Sequence, residues 1–299
     1  MKKWMVMLLC VVMAATVLSG CGGQEEAVNE EPANEAESAN GAAESQSSDA
    51  DLSEMIEVRG SDTMVNLGQG WAEAFMDKHP EAMVSVTGGG SGTGVAALIN
   101  GTIDMAQVSR SISEDEIQQG LDNGIEIYEI VAARDGIALV VNNDNPVDQL
   151  TMDEIKAIFT GEVTNWSELG GDDVEIGMYS RDTSSGTYVF FRDFVLMGED
   201  FSDDANLMPS TQAIVEGVIQ DTGGIGYVGM GYLSEDTKTV TVVENGTEYI
   251  PGEAGYPVAR PLHLYTAGEP TGAMKEYVDF ILSEEGQKVV ADIGFIPLN

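Results

Sequence analysis

From Met55 onward the chain alternates short β-branched or apolar runs with helical patterns, and this alternation constrains the fold more than any other feature. Ile56 to Arg59 and Val84 to Thr87 read as strands, whereas Val65 to Met76 and Val95 to Ile99 read as helices. Strands that alternate with helices form parallel sheets covered by those helices, so the fold class is α/β. Ser113 with Glu116, and Thr151 with Glu154, have the capping-box spacing in which a hydroxyl and a carboxylate satisfy backbone N–H groups at a helix start. Ile137 to Val141 and Pro257 to Tyr265 also read as strands, each after a turn-rich segment. If both are crossings, the chain leaves a first lobe near Arg134 and returns near Ala259. Lobe one is then expected over 55–134 and 260–299 and lobe two over 135–259, joined by a hinge of two crossing strands.

The residues before Met55 are of a different kind. Lys2 and Lys3 precede an apolar run from Trp4 to Val17, the length of a signal-peptide core and short for a bilayer span. Residues 1–20 therefore read as an export signal. The run ends in Leu18-Ser19-Gly20-Cys21, which resembles the lipobox of bacterial lipoproteins, where the cysteine is acylated and becomes the first mature residue. Cys10 and Cys21 are the chain's 2 cysteines, which leaves no thiol for a disulfide, a zinc site or a nucleophile in the body. Residues 21–54 are expected to be a lipidated, acidic, flexible linker, because Gly22 to Glu54 holds no aromatic residue, no Lys and no Arg. Such a chain is extended by its own charge and sits on the outer face of the cell membrane, held by buried acyl chains at roughly 0.8 kcal/mol per CH₂.

Thirteen Lys and Arg stand against 51 Asp and Glu, a formal net charge of −38. That field opposes nucleic acid and anionic membrane surfaces, so nucleic-acid binding is excluded. Exposed charges are screened beyond about 8 Å at physiological salt, so short-range donors can still capture an anion.

Donors of that kind are clustered. Gly60-Ser61-Asp62-Thr63, Gly88 to Gly94, Ser109-Arg110-Ser111 and Arg181 to Thr187 each fall where a strand meets a turn or helix. A helix start offers unpaired N–H groups and about half a positive charge, Gly lets the backbone come close, and hydroxyls add donors. The glycine-rich cluster lacks the Lys that a nucleotide-binding loop of the Walker type needs after Gly94.

These clusters, in this order, resemble the phosphate-binding protein family of ABC importers. Asp104 to Arg110, Leu150 to Gly170 with Phe159-Thr160-Gly161 and Asn165-Trp166, Gly224-Ile225-Gly226-Tyr227, and Tyr256-Pro257 with Arg260-Pro261-Leu262 extend the resemblance over about residues 55–299. It implies a two-lobed periplasmic-binding-protein-like fold of type II, in which both lobes grip one dehydrated phosphate. By position it implies contacts from Thr63, the Met64 backbone and Ser91 in lobe one, and from Arg181, Ser185, Gly186 and Thr187 in lobe two. Some members carry an Asp where this chain has Ser109, and that Asp accepts the proton of hydrogen phosphate. Asp62 is therefore expected to be the charged acceptor here, with Ser109 and Arg110 as added donors. An unpaired acceptor facing sulfate would give the phosphate-over-sulfate preference.

Arg134, Arg192, Trp71 and Trp166 read as surface charges or core aromatics. His79 and His263 offer no general base and no metal set. No nucleophile elbow of the form G-x-S-x-G is present, so the expectation is a non-enzyme without cofactor or metal. The expected function is extracytoplasmic capture of inorganic phosphate and delivery to ABC-transporter permease subunits. The rivals are sulfate or molybdate on the same scaffold, a secreted phosphatase, and an adhesion or signalling module.

Overall fold

A computed structural model of the protein describes residues 51–298, so the export signal, Cys21 and the tether up to residue 50 lie outside the described residues. The chain enters the first lobe through β1 (Met55–Gly60), a 3-10 turn over Asp62–Met64, α1 (Val65–Lys78), β2 (Met83–Thr87), α2 (Ser91–Ile99), β3 (Met105–Val108) and α3 (Glu114–Asp122). β1 lies between β2 and β3 and runs parallel to both. Its alternation places Ile56, Val58 and Gly60 inward, while the i, i+4 spacing of Leu67, Trp71 and Phe75 gives α1 one apolar face. These residues form a single core with Tyr277, Phe280 and Ile281 from the end of the chain. Trp71 is buried and satisfies its indole N–H on the Gly286 carbonyl at 2.9 Å.

β4 (Ile127–Val141) then carries the chain out of this lobe. The strand expected from Ile137 begins at Ile127, and its first part is hidden in the sequence because a bulge interrupts the pleat. Ala133 faces Leu262 and Val131 faces His263, leaving Ala132 without an opposite residue. Two consecutive residues, Ala132 and Ala133, are thus buried, and the period of two is hidden from the sequence.

The second lobe is built from β5 (Gln149–Thr151), α4 (Met152–Thr160), β6 (Gly177–Arg181), α5 (Gly186–Phe194), β7 (Asn206–Met208), α6 (Thr211–Gln220), β8 (Gly224–Gly229), β9 (Lys238–Glu244) and β10 (Thr247–Tyr249). β6 is parallel to β7 and β8, and the outer half of β4 pairs antiparallel with β8 and β9. Phe159, Phe191, Phe201 and Tyr227 make an aromatic core, with Phe191 stacked on Tyr227 at 4.1 Å between centroids. Trp166 is buried in the same cluster, with its N–H on the Gly223 carbonyl. Both capping boxes form, at Ser113–Glu116 for α3 and at Thr151–Glu154 for α4.

β11 (Ala259–Ala267) brings the chain back, and α7 (Gly272–Leu282) and α8 (Glu284–Ile293) close the first lobe. β11 runs antiparallel to β3 on one side and to β4 on the other, so β4 and β11 are the paired strands that link the lobes. Among the described residues no helix is long and apolar enough to cross a membrane.

Candidate anion-binding site between the lobes

Two helix starts face each other across the cleft. In the first lobe α2 begins at Ser91 after Gly90, whose φ of +93° is a conformation that favours glycine. In the second lobe α5 begins at Gly186, and the Ser185 hydroxyl caps it by accepting from the Tyr188 N–H. The first backbone N–H groups of both helices have no partner within their own helix and carry the positive end of the helix dipole. The Gly92 N–H donates across the cleft to the Ser184 carbonyl at 2.9 Å. A Cβ added at Gly186 would lie 2.3 Å from Ser91 Oγ and 2.9 Å from Ser109 Oγ, so only a residue without a side chain permits this approach.

The hydroxyls meet at the same place. Thr63 and Thr187, one from each lobe, share a hydrogen bond of 2.7 Å. Ser61 donates to Ser109 at 2.8 Å, Ser109 offers its N–H to Ser91 at 3.1 Å, and the Ser109 and Thr187 hydroxyls are 3.5 Å apart. All of these side chains are buried.

Arg181 supplies the charge from the end of β6 and is 1% exposed. Its Nε donates to the Met208 carbonyl, Nη1 to Thr211 Oγ1, and Nη2 to the Pro209 carbonyl, all at 3.2 Å. Nη2 also reaches across the cleft to Asp62 Oδ2 at 2.6 Å, and Asp62 Oδ1 accepts the Gly89 N–H. Tyr232 spans the cleft as well, donating its O–H to the Asp62 carbonyl at 2.6 Å. Burial, reinforced by the Asp62 charge, pushes the Tyr232 pKa up to about 12, so it stays a neutral donor.

The structure thus gathers Thr63, Ser91, Ser109, Gly186 and Thr187 into one cluster, with Ser185 capping the adjoining helix and Asp62 on Arg181 at its edge. Met64 is buried in the turn, but its N–H already donates to the Ser61 carbonyl within that turn. Arg110 is not brought to the cluster. Its guanidinium grips Glu116 with Nη1 and Nη2 at 2.8 and 2.7 Å and donates to the Ser111 carbonyl, because the Glu116 carboxylate of the capping box lies within its reach. Burial works against the Glu116 charge, but Arg110 and Ser113 outweigh it and hold its pKa below the ordinary value. Asp182 accepts from the Ser184 N–H and O–H, so it shapes the turn before α5.

Ser61, part of the first hydroxyl cluster but given no contact of its own from the sequence, joins through Ser109. Two contributors were not legible as such in the sequence. Tyr232 joins through the contact above. Arg260 enters from β11, paired with Asp135 of β4 and touching both Ser109 and Thr187. The register Arg260↔Asp135 makes them opposite neighbours, which no local pattern reveals across a separation of 125 residues.

A cleft between two α/β lobes, linked by paired crossing strands and lined with hydroxyls, facing helix starts and a buried arginine, defines a solute-binding protein of the anion-capturing kind. The PBP superfamily domain model matches residues 34–285. Phosphate-binding protein PstS of Bacillus subtilis is 33% identical over 305 residues, covering 99% of this chain and 95% of that protein. Its namesake from Pseudomonas aeruginosa is 31% identical over 263 residues, covering 80% and 81%. Among solved structures, one from Clostridium perfringens, described as a phosphate ABC transporter substrate-binding protein with bound phosphate, has a TM-score of 0.76 at 32% identity, covering 82% of this chain and all of that one. An ABC-type phosphate transport receptor from Vibrio cholerae has a TM-score of 0.64 at 27% identity, covering 82% of this chain. The chain belongs to the phosphate-binding protein family.

Proposed function

We propose that this protein captures inorganic phosphate outside the cytoplasm and hands it to the permease subunits of an ABC transporter. The observation that carries this assignment is the convergence of Thr63, Ser91 and Ser109 from one lobe with Gly186 and Thr187 from the other, beside the buried charge of Arg181. Five short polar groups this close together suit a small tetrahedral oxyanion and are too few and too close for a sugar or peptide. Its relatives, the phosphate-binding protein of Bacillus subtilis and the Clostridium perfringens protein solved with bound phosphate, support the same ligand.

In this assignment hydroxyls of Thr63, Ser91, Ser109, Ser185 and Thr187 donate to phosphate oxygens, helped by the backbone at Gly186, and Arg181 balances charge, while the Met64 N–H stays on the Ser61 carbonyl. Asp62 is the charged acceptor for the proton of hydrogen phosphate, in addition to its contact with Arg181. Arg110, held on Glu116, makes no contact with the anion in this assignment. Residues 55–134 and 260–299 make lobe one and 135–259 lobe two, while Cys21 carries the lipid and residues 22–54 the tether, after removal of the signal in residues 1–20. The protein binds and releases without turnover.

Titration calorimetry with phosphate and then sulfate tests the assignment. Wild-type chain is expected to bind phosphate and to prefer it strongly. Arg181→Ala is expected to lose several kcal/mol, since it removes one partner of a buried charged contact, for which the usual cost is about 2–5 kcal/mol. Equal affinity for both anions, or an unchanged constant in the variant, would overturn it.

A further inference from the structure

Arg260 sits where the two linking strands cross and is 4% exposed. Its Nε and Nη2 hold Asp135 Oδ2 at 3.2 and 2.9 Å, and Asp135 Oδ1 accepts the Met230 N–H at 3.0 Å. The Phe190 ring lies 5.5 Å from the guanidinium carbon. What remains of its fork is directed at the cluster, with Nη1 on the Ser109 carbonyl at 2.6 Å and Nη2 on Thr187 Oγ1 at 2.9 Å.

The last contact has a directional consequence. A threonine hydroxyl has one proton and two lone pairs, while a guanidinium can only donate. With Arg260 filling one lone pair, the Thr187 proton points away from the guanidinium and is left to be donated to another acceptor, with Thr63 and Ser109 as its neighbours. An acceptor bond from a cation also polarises the O–H and strengthens it as a donor. Asp135 balances the positive charge, so the cleft gains this orientation without a second uncompensated cation beside Arg181.

We propose that Arg260, anchored by Asp135, is a positioning residue that locks the Thr187 hydroxyl as a donor to the bound anion. This rests on the phosphate assignment above. Arg260 acts through Thr187 and also ties it to the Ser109 backbone, so the two lobes meet the anion with fixed donor geometry. A pair serving only to hold the strands together would stabilise the hinge without regard to the Thr187 hydroxyl.

The test is a double-mutant cycle by phosphate calorimetry on the full chain. The paired replacement Asp135→Asn with Arg260→Met removes the fork without stranding a buried carboxylate. It is expected to weaken phosphate binding by about 10- to 100-fold in the wild-type background, the range for a lost charge-assisted hydrogen bond. In the Thr187→Val background the same replacement is expected to change affinity by less than about three-fold, because the group it acts through is gone. Equal losses in the two backgrounds, or no loss in either, overturn the proposal. If thermal melts show that the paired variant does not fold, Arg260→Lys is carried through the same cycle with the same criteria, since it keeps the charge beside Asp135 but cannot reach all three partners. Wild-type chain that takes up no phosphate would sink the phosphate assignment itself, which separates that failure from this one.

Discussion

Replacing Gly186 by Ala tests the closed cleft with a single methyl group. The new Cβ would lie 2.3 Å from Ser91 Oγ and 2.8 Å from Ser91 Cβ, against about 3.4 Å for ordinary contact. Ser91 is itself buried at the start of α2, so its side chain has little room to swing aside. Relief therefore requires the facing helix starts to separate by about 1 Å, the difference between those distances. A shift of that size stretches the 2.7 Å Thr63–Thr187 bond and the 2.9 Å Gly92–Ser184 bond to the edge of hydrogen bonding or beyond. Two neutral bonds at about 0.5–1.5 kcal/mol each, with a weakened charge-assisted bond at about 1.5–3 kcal/mol, come to roughly 3 kcal/mol, or about two orders of magnitude in affinity. Folding should not suffer, because position 186 has no left-handed φ and opens a helix, where Ala is favoured over Gly by up to about 1 kcal/mol. Calorimetry with phosphate and a urea melt of the same variant give the answer. Wild-type affinity in a folded Gly186→Ala chain would refute the facing-helix geometry, since the methyl would then have found room.

Asp62→Asn is expected to reduce affinity for phosphate more than for sulfate, because the proton acceptor is lost along with the tie to Arg181. Competition titrations read the ratio, and equal losses would leave Asp62 only its contact with Arg181. Glu116 gives a dependence on pH whose sign is fixed by its lowered pKa: its stabilisation is complete above the ordinary value of 4.5 and is lost as pH falls through the lower folded-state value. Urea melts of Glu116→Gln on the two sides of that pH should therefore show a shallower acid-side decline than wild type, and an unchanged slope would remove Glu116 as a contributor.

Much of this molecule could be read from local pattern, and the remainder depended on contacts that local pattern does not encode. The alternation after Met55 placed β1, α1, β2 and α2, because each of those elements owes its shape to its own period of two or about four. The hydroxyl clusters were legible for the same reason, since each sits at a strand-to-helix junction. The first part of β4 escaped because the bulge at Ala132 erased its alternation. Arg260 and Asp135 each resemble an ordinary surface charge when read alone, and only the register of two distant strands makes them a buried pair. Arg110 was misplaced by the opposite route. The capping box that starts α3 was visible, but not that its carboxylate would also capture the neighbouring guanidinium.

β4 changes partners without a spare residue, for Gly136 pairs with Ala259 on β11 and the very next residue, Ile137, pairs with Gly229 on β8. A join with no slack cannot let its two halves wander as beads on a string would. Any opening at this join has to bend or twist paired ribbon, which favours return of the same faces to the same alignment.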